Sequence, residues 1–275
     1  MTAKIQSKIY RFAVYAGAFF SMAVLVLIVG YILIRGIPHL SAELFAWEYN
    51  SNNVSMMPSI INTLLMTAIS LIVCVPLGIG AAIYLTEYAK RGSRLVKIVR
   101  MTAETLSGIP SIIYGLFGSL FFVVALKMGL SLISGALTLS IMVLPTIMRT
   151  TEEALLAVPD SYREGSFGLG AGRLRTTFKV VLPSAASGIL SGVILAVGRI
   201  VGETAALIYT AGTVAKVPDS MLDSTRTLAV HMYTISSEGL YINQSYATAV
   251  VLLVVVLGIN ALSSSIAKQI GRSHT

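Results

Sequence analysis

The sequence predicts an all-α polytopic membrane protein with six transmembrane helices. Three observations carry that prediction. First, the 275 residues are 55% hydrophobic and 12% charged, with mean hydropathy +0.82. An average soluble domain carries about 25% charged residues, and a fold of this size could not cover its surface with half that supply. Second, six uncharged stretches reach the length of about 20 residues that a membrane helix needs. Third, fifteen of the 20 Lys and Arg residues fall on one side of a six-span arrangement. Only Arg35, Lys127, Lys216 and Arg226 fall on the other side, and Arg199 lies within a span. This is the asymmetry of the positive-inside rule, and it places both termini in the cytoplasm. An ordinary soluble enzyme, a disordered chain and a disulfide scaffold are excluded. An outer-membrane barrel is excluded too, since it needs short alternating strands. The single cysteine, Cys74, lies in an apolar run and reads as a packing residue.

The first stretch, Phe12 to Ile34, follows Lys4, Lys8 and Arg11. Its apolar run is about twice a signal-peptide h-region of 7 to 15 residues and has no small-residue cleavage site. It reads as an uncleaved helix. The next stretches are Met56 to Thr86, Thr105 to Leu126 and Met128 to Met148. The fifth, Val180 to Gly198, continues past Arg199 and Glu203 to Ala215, and the sixth runs from Gly239 to Ala267. Pro76, Pro110 and Pro145 mark expected bends or helix ends. Asn62, Thr63, Thr67, Ser111, Tyr114 and Ser119 are polar span residues, expected mainly to bond back to the helix or glue helices together.

The connections differ in character. The longest outer one, Thr213 to Ser245, is polar and carries Asp219, Asp223, Arg226, His231 and Glu238. Lone His231, with no second His or Cys nearby, reads as a solvated loop residue rather than a metal ligand. The inner connection, Arg149 to Pro183, carries more information. Pro159 and Asp160 break the chain, and Ser161 precedes Glu164 by the spacing of a capping box, so a helix should start there. Gly168, Gly170 and Gly172 should end it, and a short amphipathic piece through Leu174 and Phe178 leads to Pro183. The apolar Phe167, Leu169 and Phe178 on this polar loop favour a docking surface over a plain loop.

Arg199 and Glu203 are the only charged residues inside a span. Each costs about 2.5 to 3.5 kcal/mol at the centre of an isolated helix. At spacing i, i+4 they share a helix face and can pair, while Gly198 and Gly202 allow another helix to come close. Two roles stay open: an ion pair that locks helix packing, and a lining of a polar pathway. The run Gly168-Leu169-Gly170-Ala171-Gly172 is not a nucleotide loop, because the G-x-x-x-x-G-K-[ST] arrangement and a preceding strand are missing. No metal-ligand or nucleophilic triad spacing stands out, and no cofactor is expected. The basic excess follows the membrane flanks, so it does not point to nucleic acid.

Glu164-Gly165-Ser166, Gly170 and Val180-x-Leu182-Pro183 resemble, spacing included, the EAA loop of ABC-transporter permeases. Gly165 and Ser166 stand where that pattern has Ala, and Val180 where it has Ile. Further segments resemble the phosphate-specific permeases. These are Gly108-Ile109-Pro110-Ser111-Ile112-Ile113-Tyr114-Gly115-Leu116-Phe117-Gly118, the run Arg149 to Leu155 with Val158-Pro159, and Arg199-Ile200-Val201-Gly202-Glu203-Thr204-Ala205. Ala205 after Gly-Glu-Thr is similar to the PstA branch, although Ala206 stands where the family often has Pro. Residues 12–57 match poorly.

The resemblance implies a type I ABC importer permease fold, with residues 1–55 forming a first helix and outer loop. Residues 56–270 then form a five-helix core that includes the coupling loop 149–183. It implies a phosphate-import subunit in a prokaryotic plasma (inner) membrane with no ATPase site of its own. Its implied partners are a PstC-like permease, two copies of a PstB-like ATPase, an external PstS-like phosphate-binding protein and membrane lipid. Glu164, Gly170, Leu182 and Pro183 would couple to the ATPase, where Glu164 would meet a basic residue. Arg199 and Glu203 would line the path, Glu203 occupying Arg199 when phosphate is absent. The rivals are a permease for molybdate, tungstate or sulfate, a stand-alone secondary transporter or channel, and a membrane scaffold for phosphate signalling.

Overall fold

The computed structural model describes residues 2–90 and 92–272, with side chains described at 6–90 and 92–265. The side chains of Lys4, Arg91, Lys268 and Arg272, counted above as cytoplasmic charges, lie outside the described residues. Every regular element among the described residues is helical. Five helices are long and apolar enough to cross a membrane, and six when one sharply bent pair is taken as a single span.

α1 (Thr2–Gly36) is apolar and exposed along most of its length. Its last turns meet the start of α11 (Ile242–Arg272), where Gly36 lies against the Tyr246 backbone and the Tyr31 and Tyr246 rings meet edge-on at 5.8 Å. α2 (Met57–Ile83) closes in a π-helical turn, Tyr84–Tyr88. Pro76 lies inside it without ending it.

The third span departs from expectation. Instead of one helix over 105–126 there are two: α3 (Arg94–Ser107), and α4 (Ser111–Gly118) continued by a π-helical turn (Ser119–Ala125), bent by 103°. Pro110 has no N–H to give and disfavours helical backbone at Ile109, so the chain turns there. Tyr114 fixes the elbow by donating from its hydroxyl to the Leu106 carbonyl at 2.7 Å. Arg94, Lys97 and Arg100 make α3 amphipathic, and only the part after the elbow is apolar throughout. The fourth span is displaced. α5 (Leu132–Leu156) starts at Ser131, whose side chain accepts from the Ser134 N–H, and runs beyond Met148 through Glu152 and Glu153. Pro145 does not break it.

α6 (Asp160–Gly168) and α7 (Arg173–Thr176) follow, and a π-helical turn (Thr177–Val181) leads into α8 (Leu182–Val201). The fifth span does not continue as one helix to 215. It stops at Val201 and resumes as the short α9 (Ala205–Thr210). α10 (Leu228–Ser237) lies in the long outer connection, where no helix was expected.

α5 is the central helix. Met66 and Cys74 of α2, Ala196 and Ile200 of α8 and Leu207 of α9 form one core with its Leu139, Met142, Val143 and Ile147. In a membrane such contacts gain little from leaving water, so close approach decides the packing. Gly115 shows this: a Cβ there would sit 2.8 Å from the Ala206 Cα, so only glycine lets α4 lie against α9. A second cluster (Leu85, Val96, Leu155, Val181) packs one end of the bundle, and a third (Leu44, Met56, Leu228, Ile235) packs the opposite end.

Candidate functional site

Two features follow from this fold: a braced helical loop at one end of the bundle, and a break in the fifth span.

The loop begins at Pro159, whose extended backbone starts α6 with Asp160 in its first turn. A carboxylate there suits the positive end of the helix. The capping box expected from Ser161 and Glu164 does not form, because the N-cap position falls two residues earlier, at Pro159, and no side chain caps the helix. Glu164 is therefore exposed and makes no hydrogen bond or ion pair to another described residue. The helix ends as the glycines suggest. Gly170 has φ +81°, its N–H bonds to Phe167 O at 2.9 Å, and the Ala171 N–H bonds to Ser166 O at 3.1 Å. That is a Schellman stop, which needs a left-handed residue at the Gly170 position. Leu169 stands at the tip, 92% exposed, with Phe167, Leu174 and Phe178 also exposed around it. Ser166 Oγ and Thr176 Oγ1, 2.8 Å apart, tie the two arms together. Leu182 and Pro183 follow the π-helical turn without a break, so Pro183, which has no N–H, lies inside one continuous helix from Arg173 to Val201.

Arg163 and Glu87 were missed as site residues. The Arg163 guanidinium reaches Glu87 in the π-helical turn after α2, with Nη2 to Oε1 at 2.7 Å. It also donates to the carbonyls of Leu155 (2.9 Å) and Val158 (2.8 Å), and to Asp160 at 3.3 Å. The available signal was an acidic residue one position past the second apolar stretch. A bond between positions 76 apart leaves no trace in local spacing. Nearby, Arg100 on α3 pairs with buried Glu152 on α5, and the Arg173 guanidinium lies over the Tyr88 ring at 5.6 Å. A cleft of about 1010 Å³ opens beside α6, lined by Tyr162, Phe178, Pro183, Ser184 and Ser187 among others.

In the broken span, Arg199 occupies the last turn of α8. Glu203 lies past the helix end, is 8% exposed, and its Oε1 accepts the Ala206 N–H at 3.1 Å. The expected Arg199–Glu203 pair does not form. Gly202 ends α8, so the i, i+4 geometry is lost, and the carboxylate satisfies the first turn of α9 instead. Arg199 is half-buried and makes no hydrogen bond or ion pair to another described residue. Its side of α8 is otherwise exposed at Ser184, Ser187, Ser191 and Leu195.

The polar residues of α2 act as glue. Thr63 and Thr67 bond back to Ser59 O and Thr63 O, and Asn62 donates to the carbonyls of Lys216 and Arg226. His231 departs from expectation. It lies on α10, fully buried, with neither ring nitrogen hydrogen-bonded. The apolar Leu228, Val230 and Ile235 around it pull α10 into the bundle. Burial first, and the Arg226 charge second, push the His231 pKa down to about 3. Arg226 is 4% exposed, and its guanidinium lies over the Tyr49 ring at 4.6 Å.

The family model described as binding-protein-dependent transport system inner membrane component matches residues 74–273. The phosphate transport system permease protein PstA of Pasteurella multocida is 36% identical over 210 residues, covering 76% of this chain and 74% of its own length. The phosphate transport system permease protein PstC of Mesorhizobium japonicum is 31% identical over 258 residues, covering 83% and 77%. Among solved structures, a bacterial alginate ABC transporter in complex with its alginate-bound periplasmic protein matches with TM-score 0.68 at 15% identity, over 96% of this chain and 97% of the matched one. That similarity shows the fold.

Proposed function

The chain belongs to the family of binding-protein-dependent transport system inner membrane components, and from that premise we propose that it is a permease subunit of an ATP-driven phosphate importer. The α6 loop carries this reading. It is a short helix with a free carboxylate at Glu164, an apolar tip at Leu169 and a fixed glycine stop at Gly170. Such an element suits insertion into a groove on another protein. Leu182 and Pro183 join it directly to a membrane helix, so motion of the loop reaches the bundle. The phosphate assignment rests on the relatives' names and on the Arg199 to Ala205 signature.

In this reading the α6 end faces the cytoplasm, as the charge asymmetry requires. A PstB-like ATPase docks there, in two copies per transporter. A PstC-like permease supplies the other half of the path, and a PstS-like protein delivers phosphate to the opposite end. Residues 56–270 form the transporting core, to which α1 is an addition. ATP hydrolysis belongs to the partner.

Arg199 and Glu203 divide the work at the break. Arg199 offers an unpaired guanidinium at the level of the central core, and its donor fork suits phosphate oxygens. Glu203 holds the break open by capping α9. The serines on the Arg199 side of α8 continue a polar track toward the cytoplasmic cleft. The test is phosphate uptake by the assembled transporter carrying Arg199→Ala. Losing hydrogen bonds to a charged group worth about 1.5 to 3 kcal/mol predicts a fall of roughly tenfold or more, with normal assembly. Near-normal uptake refutes the role of Arg199. Equal competition by sulfate or molybdate refutes the phosphate assignment.

A further inference from the structure

We infer that the buried Glu87–Arg163 pair is a positioning joint that makes α6, the end of α2 and the end of α5 move as one body. The inference rests on the coupling role proposed for the loop and names the residues that carry it.

Arg163 has five N–H donors in a rigid fork. All five are engaged. Nε faces the Glu87 carboxylate at 3.2 and 3.4 Å. Nη2 bonds to Glu87 Oε1 and to Leu155 O, and Nη1 to Val158 O and Asp160 Oδ1. Leu155 O and Val158 O are carbonyls at and just past the end of α5, where a helix leaves acceptors unsatisfied. One side chain on α6 therefore closes the end of α5 and grips α2. The two partners are 15% and 8% exposed, so water competes little for these bonds.

The place of Glu87 is informative. It sits in the π-helical turn at the end of α2, and its neighbour Leu85 is buried in the cluster containing Leu155 and Val181. π-helical turns of this kind often occur at functional positions. This one gives α2 a buried carboxylate at the level of the loop. On the other side of the loop, α6 packs on α7 and on the π-helical turn that leads into α8, and the Ser166–Thr176 hydrogen bond ties them. The Arg163 fork adds the charged grip on α2 and α5, so a push on the exposed face of α6 is passed to these helices as well as to α8. Glu87 and Arg163 need touch neither phosphate nor nucleotide, which makes them positioning residues.

The test uses the complete transporter in proteoliposomes and reads phosphate imported per ATP hydrolysed. Glu87→Gln and Arg163→Lys keep the shape of the site but remove the charged fork contact. Each is expected to lower that ratio by about fivefold or more, the lower end of a typical coupling between sites, while the ATPase still co-purifies. A second readout does not depend on transport. Spin labels at Ser161→Cys on α6 and Leu77→Cys on α2, in a Cys74→Ala background, report the separation of the two helices. ATP binding should leave it unchanged in the otherwise native chain and change it in Glu87→Gln. An unchanged import ratio in both variants overturns the joint. So does a shift in the native separation of more than about 2 Å, the size of an interface helix shift. An unmodified transporter that imports no phosphate overturns the proposed function, and the joint with it.

Discussion

At the α6 end of the bundle, Glu87 and Glu152 are buried and each meets an arginine. At the opposite end, Arg226 and His231 are buried, and neither forms an ion pair among the described residues, although Glu238 is near enough to favour the Arg226 charge. Arg226 Nε and Nη2 have no hydrogen-bond partner, and its charge lies over the Tyr49 ring. A buried charge with a well-placed partner is costly to disturb, while one without a partner is already paying desolvation. The α6 end is therefore built to hold its shape under load. The opposite end holds polar groups that lose little when they rearrange. A transporter driven from one end and opening at the other would need that division.

The comparison can be broken most sharply at Arg163. Arg163→Met leaves Glu87 buried without its partner. Thermal unfolding of the purified protein should show a loss of about 3 to 5 kcal/mol, the usual cost of removing one member of a buried pair. A loss below about 1 kcal/mol, the scale of exposed pairs, would mean that this end is no stiffer than a surface.

His231 gives the intermediate effect. Its pKa in the folded chain is about 3, below the unfolded value of about 6.5. The unfolded chain then binds the extra proton between those values, so stability is complete above about pH 6.5 and declines as the pH falls toward 3. Melting temperatures from pH 7 to 4 should fall in the parent, with a shallower fall in His231→Leu. Identical slopes would place His231 in contact with water.

The smallest effect is expected at Glu104, whose exposed carboxylate meets exposed Arg149 at 3.7 Å on the α6 end. Glu104→Gln should stay within about 0.5 kcal/mol of the parent. A larger loss would show that proximity to the α6 end matters more than burial.

What the sequence made legible follows the range of the interaction. Span number, with the bent pair taken as one span, and the Gly170 stop are local patterns, and both appear as expected. Pro110 marks a helix end as proposed. Pro76 and Pro145 do not, since neighbouring helices in a membrane protein can support a proline inside a helix. The break after Val201 was hidden because Arg199 and Glu203, four residues apart, read equally well as a pair on one continuous helix. Its cause is a side chain, Glu203, that bonds forward to the Ala206 N–H. The Ser161–Glu164 box failed because Pro159 set the helix start first. α10 and buried His231 were masked by the polar residues around them, although Leu228 and Ile235 are spaced seven apart on one helical face. Glu87 and Arg163 were out of reach, because their pairing exists only once α2 and α6 are side by side.

The most direct measurement is uptake of labelled phosphate by proteoliposomes containing this chain, its partner permease and the ATPase, with binding protein and ATP supplied or withheld. The account predicts uptake only when both are present, and its loss together with ATPase binding in Glu164→Arg. Uptake that continues without ATP, or that is indifferent to Glu164→Arg, would contradict it.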